Sequence, residues 1–552
     1  MIKSATENAK KSFLSGVAFL FISAISVKLI GLFYKIPLIR LVGIEGMAYF
    51  LAAYHIYVLL FTVSNAGLPI AVSILVSRRC ASNDEAGAET LFLTALKLFS
   101  VIGAVCGFAM YFLSDTVAAS IKMPEAALSV RAIAPSLFFV SVASAVRGYF
   151  QGKGDMVPTA VSQVIESVGK LVLGLVFAGA ALYAKLPLPA VSAAAIGGIS
   201  AGSALSAAYL FAVKAKKTGA IVGKCRKEQG NLFRLLRIAA PITLSSAVIS
   251  LTGVVDTALV SSRLQAAGID SSVANSMYSS YGNLAIPLFS LVPSLISPIA
   301  VAVTPMLARA REQREREKEK SLISSALRIT ALISVPASFG LALFGEQILF
   351  LLYPSQTIAV AIAAPLLSVL APSILFSCLL TVLNSVLQAY GLEKRLFFSI
   401  GAGMILKTAV EYISLSNPKI NIFGAPMSTL FCNLLVVCIN LYMLMRVLPE
   451  LKVTFALKPI LSSLPSTAAA LLTFYLLLNR GADQKLALFA AIFADVAFYG
   501  AVSIFNGSIA EEDLGLLPGG EKIIKIMKKL RLLRNENEQR RKNNFIEGQR
   551  KI

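Results

Sequence analysis

APSLFFVSVASAVRGYFQGKG, residues 134–154, returns as APSILFSCLLTVLNSVLQAYG at residues 371–391. Laid together without a gap, the two share Ala-Pro-Ser at the start, Phe139 with Phe376, Gln151 with Gln388, and Gly154 with Gly391. Each reads as an apolar helix of membrane length closing on a polar turn that ends in glycine. Agreement in Pro, Gln and Gly outweighs agreement in Leu or Ala, which any two apolar helices share. The same register places Lys170 on Lys407, two lysines deep in successive apolar helices, and a second echo pairs Pro69-Ile-Ala-Val with Pro298-Ile-Ala-Val. Two tandem, similarly oriented halves in a membrane account for this, and such halves commonly flank a transport pathway.

Composition agrees. Of 552 residues, 57% are hydrophobic and 14% charged, with a mean hydropathy of +0.76, which leaves polar surface for short loops only. The formal charge of +22 lies mostly between apolar spans, so anionic membrane lipids are the expected partner and nucleic acid is not. Six scattered cysteines show no metal or redox spacing, and His55 is the sole histidine. The first apolar run is too long for a signal peptide and carries Lys28, so it reads as a transmembrane helix.

The expected fold is an all-α integral membrane protein of about fourteen transmembrane helices: two pseudo-symmetric six-helix lobes plus two C-terminal helices. Residues 1–213 form the N-lobe, 214–235 a cytoplasmic linker, 236–446 the C-lobe, 447–507 helices 13 and 14, and 508–552 a basic cytoplasmic tail. The second helix should break at Asn65-Ala-Gly-Leu-Pro69, and the Gly198-xxx-Gly202 stripe should let a neighbouring helix approach closely. Lys and Arg concentrate in alternate loops, above all 214–237 and 309–320, which places both termini in the cytoplasm. In the tail, EKIIKIMKKLRLLR (521–534) reads as an amphipathic helix on the inner leaflet or as a disordered basic segment.

Charges inside the spans need a reason, since each costs about 2.5–3.5 kcal/mol at mid-bilayer. Lys28 and Lys35 share one face of the first helix, and Lys170 and Lys407 lie near mid-depth in theirs. All four are candidates for holding an anionic substrate in a wet cavity. Glu166 and Glu411 lie one turn from Lys170 and Lys407, so a same-helix ion pair is the plainer reading. Asp256 is a lone acid of the seventh span and Asp495 of the last. Glu166, Asp256 and Glu411 are candidates for ion coupling or for pairing with cavity lysines. Lys97 and Arg328, near cytoplasmic helix ends, are expected to snorkel. No phosphate loop, catalytic metal pair or nucleophile elbow is present, so no enzyme is expected.

RGYFQGKGDMVPTAVSQVIES (147–167) resembles the signature of polysaccharide and lipid-linked-oligosaccharide flippases of the multidrug/oligosaccharidyl-lipid/polysaccharide exporter superfamily. NAGLPIAVSILVSRR (65–79), VVDTALVSSRL (254–264) and LNSVLQAYG (383–391) resemble the stage V sporulation protein B group, and VKLIGLFYKIPLIRLVG (27–43) is similar to the first helix of that group and of lipid II flippases. The resemblance implies two lobes in a V that carry an undecaprenyl-diphosphate-linked peptidoglycan or polysaccharide precursor outward across the bacterial cytoplasmic membrane. No resident cofactor is implied; coupling to membrane potential, H+ or Na+ is left open, as is contact with cell-wall synthesis machinery. Of the basic residues of lipid II flippases, one falls on Lys28 and another beside Tyr34–Lys35, whereas GNLAIPL (282–288) lacks their eighth-helix arginine. The rival readings are a cation-coupled multidrug exporter of the same superfamily and, outside it, a membrane-embedded glycan-assembly enzyme or scaffold.

Overall fold

The computed structural model describes residues 2–65, 67–218, 231–451 and 454–508, with the side chains of residues 2–29 outside that description. Most of the linker and the tail helix at 521–534 therefore lie outside the described residues. Among the described residues the chain is helical throughout and has no strand. In chain order come α1 (Ile2–Asn65), α2 (Leu68–Ala81), α3 (Glu85–Phe112), α4 (Ser114–Ser120), α5 (Ala127–Gly152), α6 (Val157–Tyr183), α7 (Leu188–Thr218), α8 (Asn231–Ala266) and α9 (Ser271–Ser280). Then follow α10 (Ile286–Glu312), α11 (Arg316–Leu352), α12 (Thr357–Leu370), α13 (Ser373–Ala389), α14 (Glu393–Leu415), α15 (Gly424–Val447), α16 (Leu457–Asn479) and α17 (Gln484–Phe505).

Ten of the described spans are long and apolar enough to cross a membrane, eleven if α12 and α13 make one bent span. The count falls short of the expected fourteen partly because the first two expected spans merge. Helix α1 runs on through a kink at Gly43 (φ 72°), and Tyr34–Cys80 counts as one span. These helices are apolar on both faces, as a lipid environment requires. On α3, Leu91, Ala95 and Phe99 are buried while Val101, Val105, Phe108 and Phe112 are exposed.

The two echoed stretches differ at one point. Helix α5 passes through Pro135, whereas the chain breaks before Pro372 and α12 meets α13 at 55°. Both end as the sequence suggests, on glycines in the left-handed region: Gly154 at φ 80° and Gly391 at φ 73°. A break also falls between Asn65 and Leu68, with Pro69 in the first turn of α2, where its missing N–H costs nothing.

The chain divides into two compact units. The first comprises residues Met1–Pro287, Leu352–Leu366 and Met404–Ser428. Its core packs α2, α3, α5 and α7 through Val72, Leu91, Phe92, Val146, Tyr149 and Leu210. At one end Lys214, buried in the last turns of α7, reaches both Glu89 oxygens (2.8 and 2.9 Å) and lies over the Phe92 and Tyr149 rings. Nearby, Lys153 bonds Glu85 at 2.7 Å. Burial opposes its charge, yet Glu85 and Tyr149 hold its ammonium above the ordinary lysine range.

The second unit comprises Leu288–Leu351, Leu367–Gly403 and Thr429–Ile552. Its core runs through Ile296, Val303, Ile323, Ile374, Val382, Val386 and Leu444. The α16–α17 pair packs on α11 by Phe344 against Phe474 (5.7 Å between ring centroids), and Tyr499 donates to the Leu332 carbonyl at 2.9 Å.

Candidate functional site

Lys28 lies on α1 where side chains are outside the described residues. The other six candidates all belong to the first unit, although they come from α1, α6, α8 and α14. Lys35 is half-buried, and its ammonium donates to Asn283 Oδ1 at 3.1 Å. Asn283 is fully buried in a π-helical turn, Tyr281–Ala285, that follows α9. Its amide nitrogen donates to the Met47 carbonyl and to Ser279 Oγ, both at 3.1 Å, which fixes its oxygen toward Lys35. A wide turn of this kind commonly re-aims a side chain at a working site.

Lys170, on α6, is close enough to Lys35 for the two charges to oppose each other. Glu166 acts on it electrostatically, but among the described residues Lys170 makes no hydrogen bond or ion pair. The reason is Arg147. Its Nη2 reaches Glu166 Oε2 at 2.8 Å and Ser206 Oγ at 2.9 Å, while Nε reaches Ser162 Oγ at 2.9 Å. A planar guanidinium with five donors fills such a pocket better than an ammonium, so the same-helix pair of Glu166 with Lys170 does not form.

Its counterpart does not form either. Lys407 is buried and sits 2.5 Å from both oxygens of Asp256 on α8, 151 positions away in sequence. Glu411, one turn beyond, is fully buried with neither oxygen hydrogen-bonded, and the charges facing it are Asp256 and Lys407. His55 Nδ1 lies 2.8 Å from Thr257 Oγ1 and 3.2 Å from the Tyr278 hydroxyl. Asp256, Lys35 and Lys407 all act on it. Lys170, Lys35, His55, Asp256, Lys407 and Glu411 thus make one string of polar groups inside an apolar unit. Asp495 belongs to the second unit, with its Oδ1 buried and without a partner.

The sequence reading passed over Arg147, Asn283, Thr257 and Tyr278. Arg147 does carry a signal in the sequence, a charge within an apolar helix, but it stands inside the stretch whose repeat draws attention to Pro, Gln and Gly instead. Asn283 carried a weaker one, as the only strongly polar side chain in GNLAIPL. Among the described residues no cluster of three or more His, Cys, Asp or Glu is placed to hold a metal. The arrangement suits binding of a multiply charged anion by fixed cations.

The family model described as polysaccharide biosynthesis protein matches residues 13–311, and the MatE model matches residues 241–413. Stage V sporulation protein B of Bacillus subtilis (strain 168) is 24% identical over 522 residues, covering 92% of this chain and 98% of that protein. Among solved structures, lipid II flippase MurJ in an inward closed conformation aligns with a TM-score of 0.64 at 17% identity, over 88% of this chain and 98% of that one. An inward-facing multidrug resistance MATE family transporter of the MOP superfamily also aligns with a TM-score of 0.64, at 16% identity, over 78% and 98%. The chain therefore has a MATE/MurJ-like transporter fold in a multi-pass membrane protein, and its relatives point to transport rather than catalysis.

Proposed function

Because the chain belongs to the polysaccharide biosynthesis protein family and is a MOP-superfamily transporter related to the MurJ and stage V sporulation protein B proteins, we propose that it moves a lipid-linked anionic precursor outward across the cytoplasmic membrane by alternating access. The cargo on this reading is an undecaprenyl-diphosphate-linked peptidoglycan or polysaccharide unit. One observation carries the proposal: in the first unit Lys35 meets only the neutral Asn283 oxygen, and Lys170 makes no hydrogen bond or ion pair among the described residues because Arg147 holds Glu166. A diphosphate supplies the missing negative charge and accepts hydrogen bonds from both ammonium groups. Lys407 joins them when Asp256 releases it. Ion coupling is assigned to the Asp256–Lys407–Glu411 group, where a carboxyl with two unpartnered oxygens adjoins a closed ion pair; a proton or Na+ entering there would reset that pair.

The rival reading, a multidrug exporter for cationic amphiphiles, has in its favour the MatE match over residues 241–413 and the same buried acid. Complementation of a flippase-depleted strain, with accumulated lipid-linked precursor measured, separates the two. Lys170→Gln at normal expression is expected to lose transport by about tenfold to a hundredfold, the worth of one charge-assisted bond. Lys170→Arg should retain most of it. Full activity of Lys170→Gln, or drug efflux without precursor movement, overturns the proposal.

A further inference from the structure

Helices α16 and α17 turn back on each other through Arg480-Gly481, and the seam between them is divided. Toward the turn it is apolar: Ala470, Phe474, Ala487, Leu488 and Ala491 pack together and onto Phe344 of α11. Toward the other ends it is polar. On α16 the buried residues Ser463, Ser466, Thr467 and Ala470 recur at i, i+3, i+4 and i+7, one face of a helix. On α17, Asp495, Tyr499 and Ser503 continue the face of Leu488 and Ala491. The Ser466 hydroxyl adjoins the Asp495 carboxylate, and the Ser463 and Ser503 hydroxyls adjoin that of Tyr499. The two helices have 23 and 22 residues, each about a membrane's length, and Ser466, Thr467 and Asp495 all stand near the middle. A carboxyl group is thus held roughly 15 Å from either end of its helix, at the depth of the hydrocarbon.

Nothing on this hairpin matches its charge. The only basic residues of the two helices are Lys458 and Lys485, in their first turns, and among the described residues Asp495 forms no ion pair. Its Oδ1 is buried without a hydrogen bond, and so is the Thr467 hydroxyl on the facing helix. Thr473, on the same helix, donates to the Ala469 carbonyl at 2.8 Å, as hydroxyls inside helices commonly do; Thr467 forgoes that bond. Ser466 gives its proton to the Ser463 carbonyl at 3.1 Å and Tyr499 gives its own to the Leu332 carbonyl at 2.9 Å, so both turn lone pairs to the seam. One negative charge among oxygen lone pairs is the ligand chemistry of a hard cation. A single carboxylate balances a single positive charge, whereas a divalent ion would stay charged in hydrocarbon. A proton would occupy one oxygen and leave the hydroxyl lone pairs unused.

We propose that the seam between α16 and α17 binds one small monovalent cation, of the Na+ class, with Asp495 as its charged ligand and the Ser466 and Thr467 hydroxyls as neutral ones. Filled, the site cancels the charge at mid-depth and ties α16 to α17. It belongs to the second unit and is separate from the Asp256–Lys407–Glu411 group of the first.

Melting of the full-length protein in NaCl and in choline chloride of equal ionic strength tests it. The wild-type protein should melt higher in Na+, by an increment that grows with its concentration. Asp495→Asn should lose that increment. Thr467→Val removes only the unpartnered hydroxyl, so it should melt no lower than the wild type in choline, yet need about tenfold more Na+ for the same increment. An unchanged Na+ requirement in Thr467→Val overturns the proposal. So does an increment that survives Asp495→Asn and is abolished by Glu411→Gln, which places the ion in the first unit alone. Stabilisation of the wild-type protein by lower pH and not by Na+ marks a carboxyl that binds a proton, and overturns it as well. No readout involves cargo, so these outcomes stand apart from what the first unit carries.

Discussion

Whether a lysine can be held inside a bilayer depends on what lies within reach of its ammonium, and the two repeated lysines answer differently. Lys407 rests on Asp256, whereas the carboxylate nearest Lys170 along its helix is bound to Arg147. Glu166→Gln is therefore expected not to rescue Lys170→Gln in complementation, because no orphaned carboxylate remains to be removed. Restored activity in that double variant would show that Glu166 serves Lys170 after all. Arg147→Leu should behave oppositely. It strands Glu166 beside buried serines and should cost about 3 kcal/mol of stability, read as an earlier melting transition in detergent. Arg147→Leu combined with Glu166→Leu should recover most of the loss, since two apolar side chains leave nothing unpaired.

Helices α6 and α7 show how an element positions the site. A Cβ added at Gly198 would lie 2.4 Å from the Gly174 backbone and 3.0 Å from the Lys170 carbonyl, and one at Gly202 would lie 2.7 Å from the Glu166 carbonyl and the Lys170 nitrogen. Backbone here touches backbone, so Gly198→Leu must push the helices apart, at about 1–3 kcal/mol for the overpacking. It should also lower transport beyond what stability explains, because Lys170 moves with α6; unchanged transport would detach the lysine from the cargo. The glycine stripe, the glycine-terminated turns and the break after Asn65 were legible in sequence because each is a local steric demand. The pairing of charges was not. Sequence offers Glu166 to Lys170 and Glu411 to Lys407 by helical spacing, but in the fold Arg147 of α5 takes Glu166 and Asp256 of α8 takes Lys407. Pro135 and Pro372 make the same point: an identical Ala-Pro-Ser sits in a continuous helix once and at a break once, as its neighbours permit.

Across the whole molecule the formal charge of +22 and its concentration in alternate loops set an expected orientation with both termini inside. In a variant without the six native cysteines, Ala220→Cys should resist membrane-impermeant thiol reagents in intact cells and react after the membrane is opened; labelling in intact cells would reverse the topology. In the alternating-access cycle proposed above, one crossing is loaded and one empty, and the bidentate contact of Lys407 with Asp256 bears on the second. An ammonium already matched by an internal carboxylate adds no net charge to be dragged through the low-dielectric interior. On the function proposed above, cargo arriving at Lys407 competes with Asp256 for it, and the contact is then a built-in stand-in for the passenger on the homeward leg.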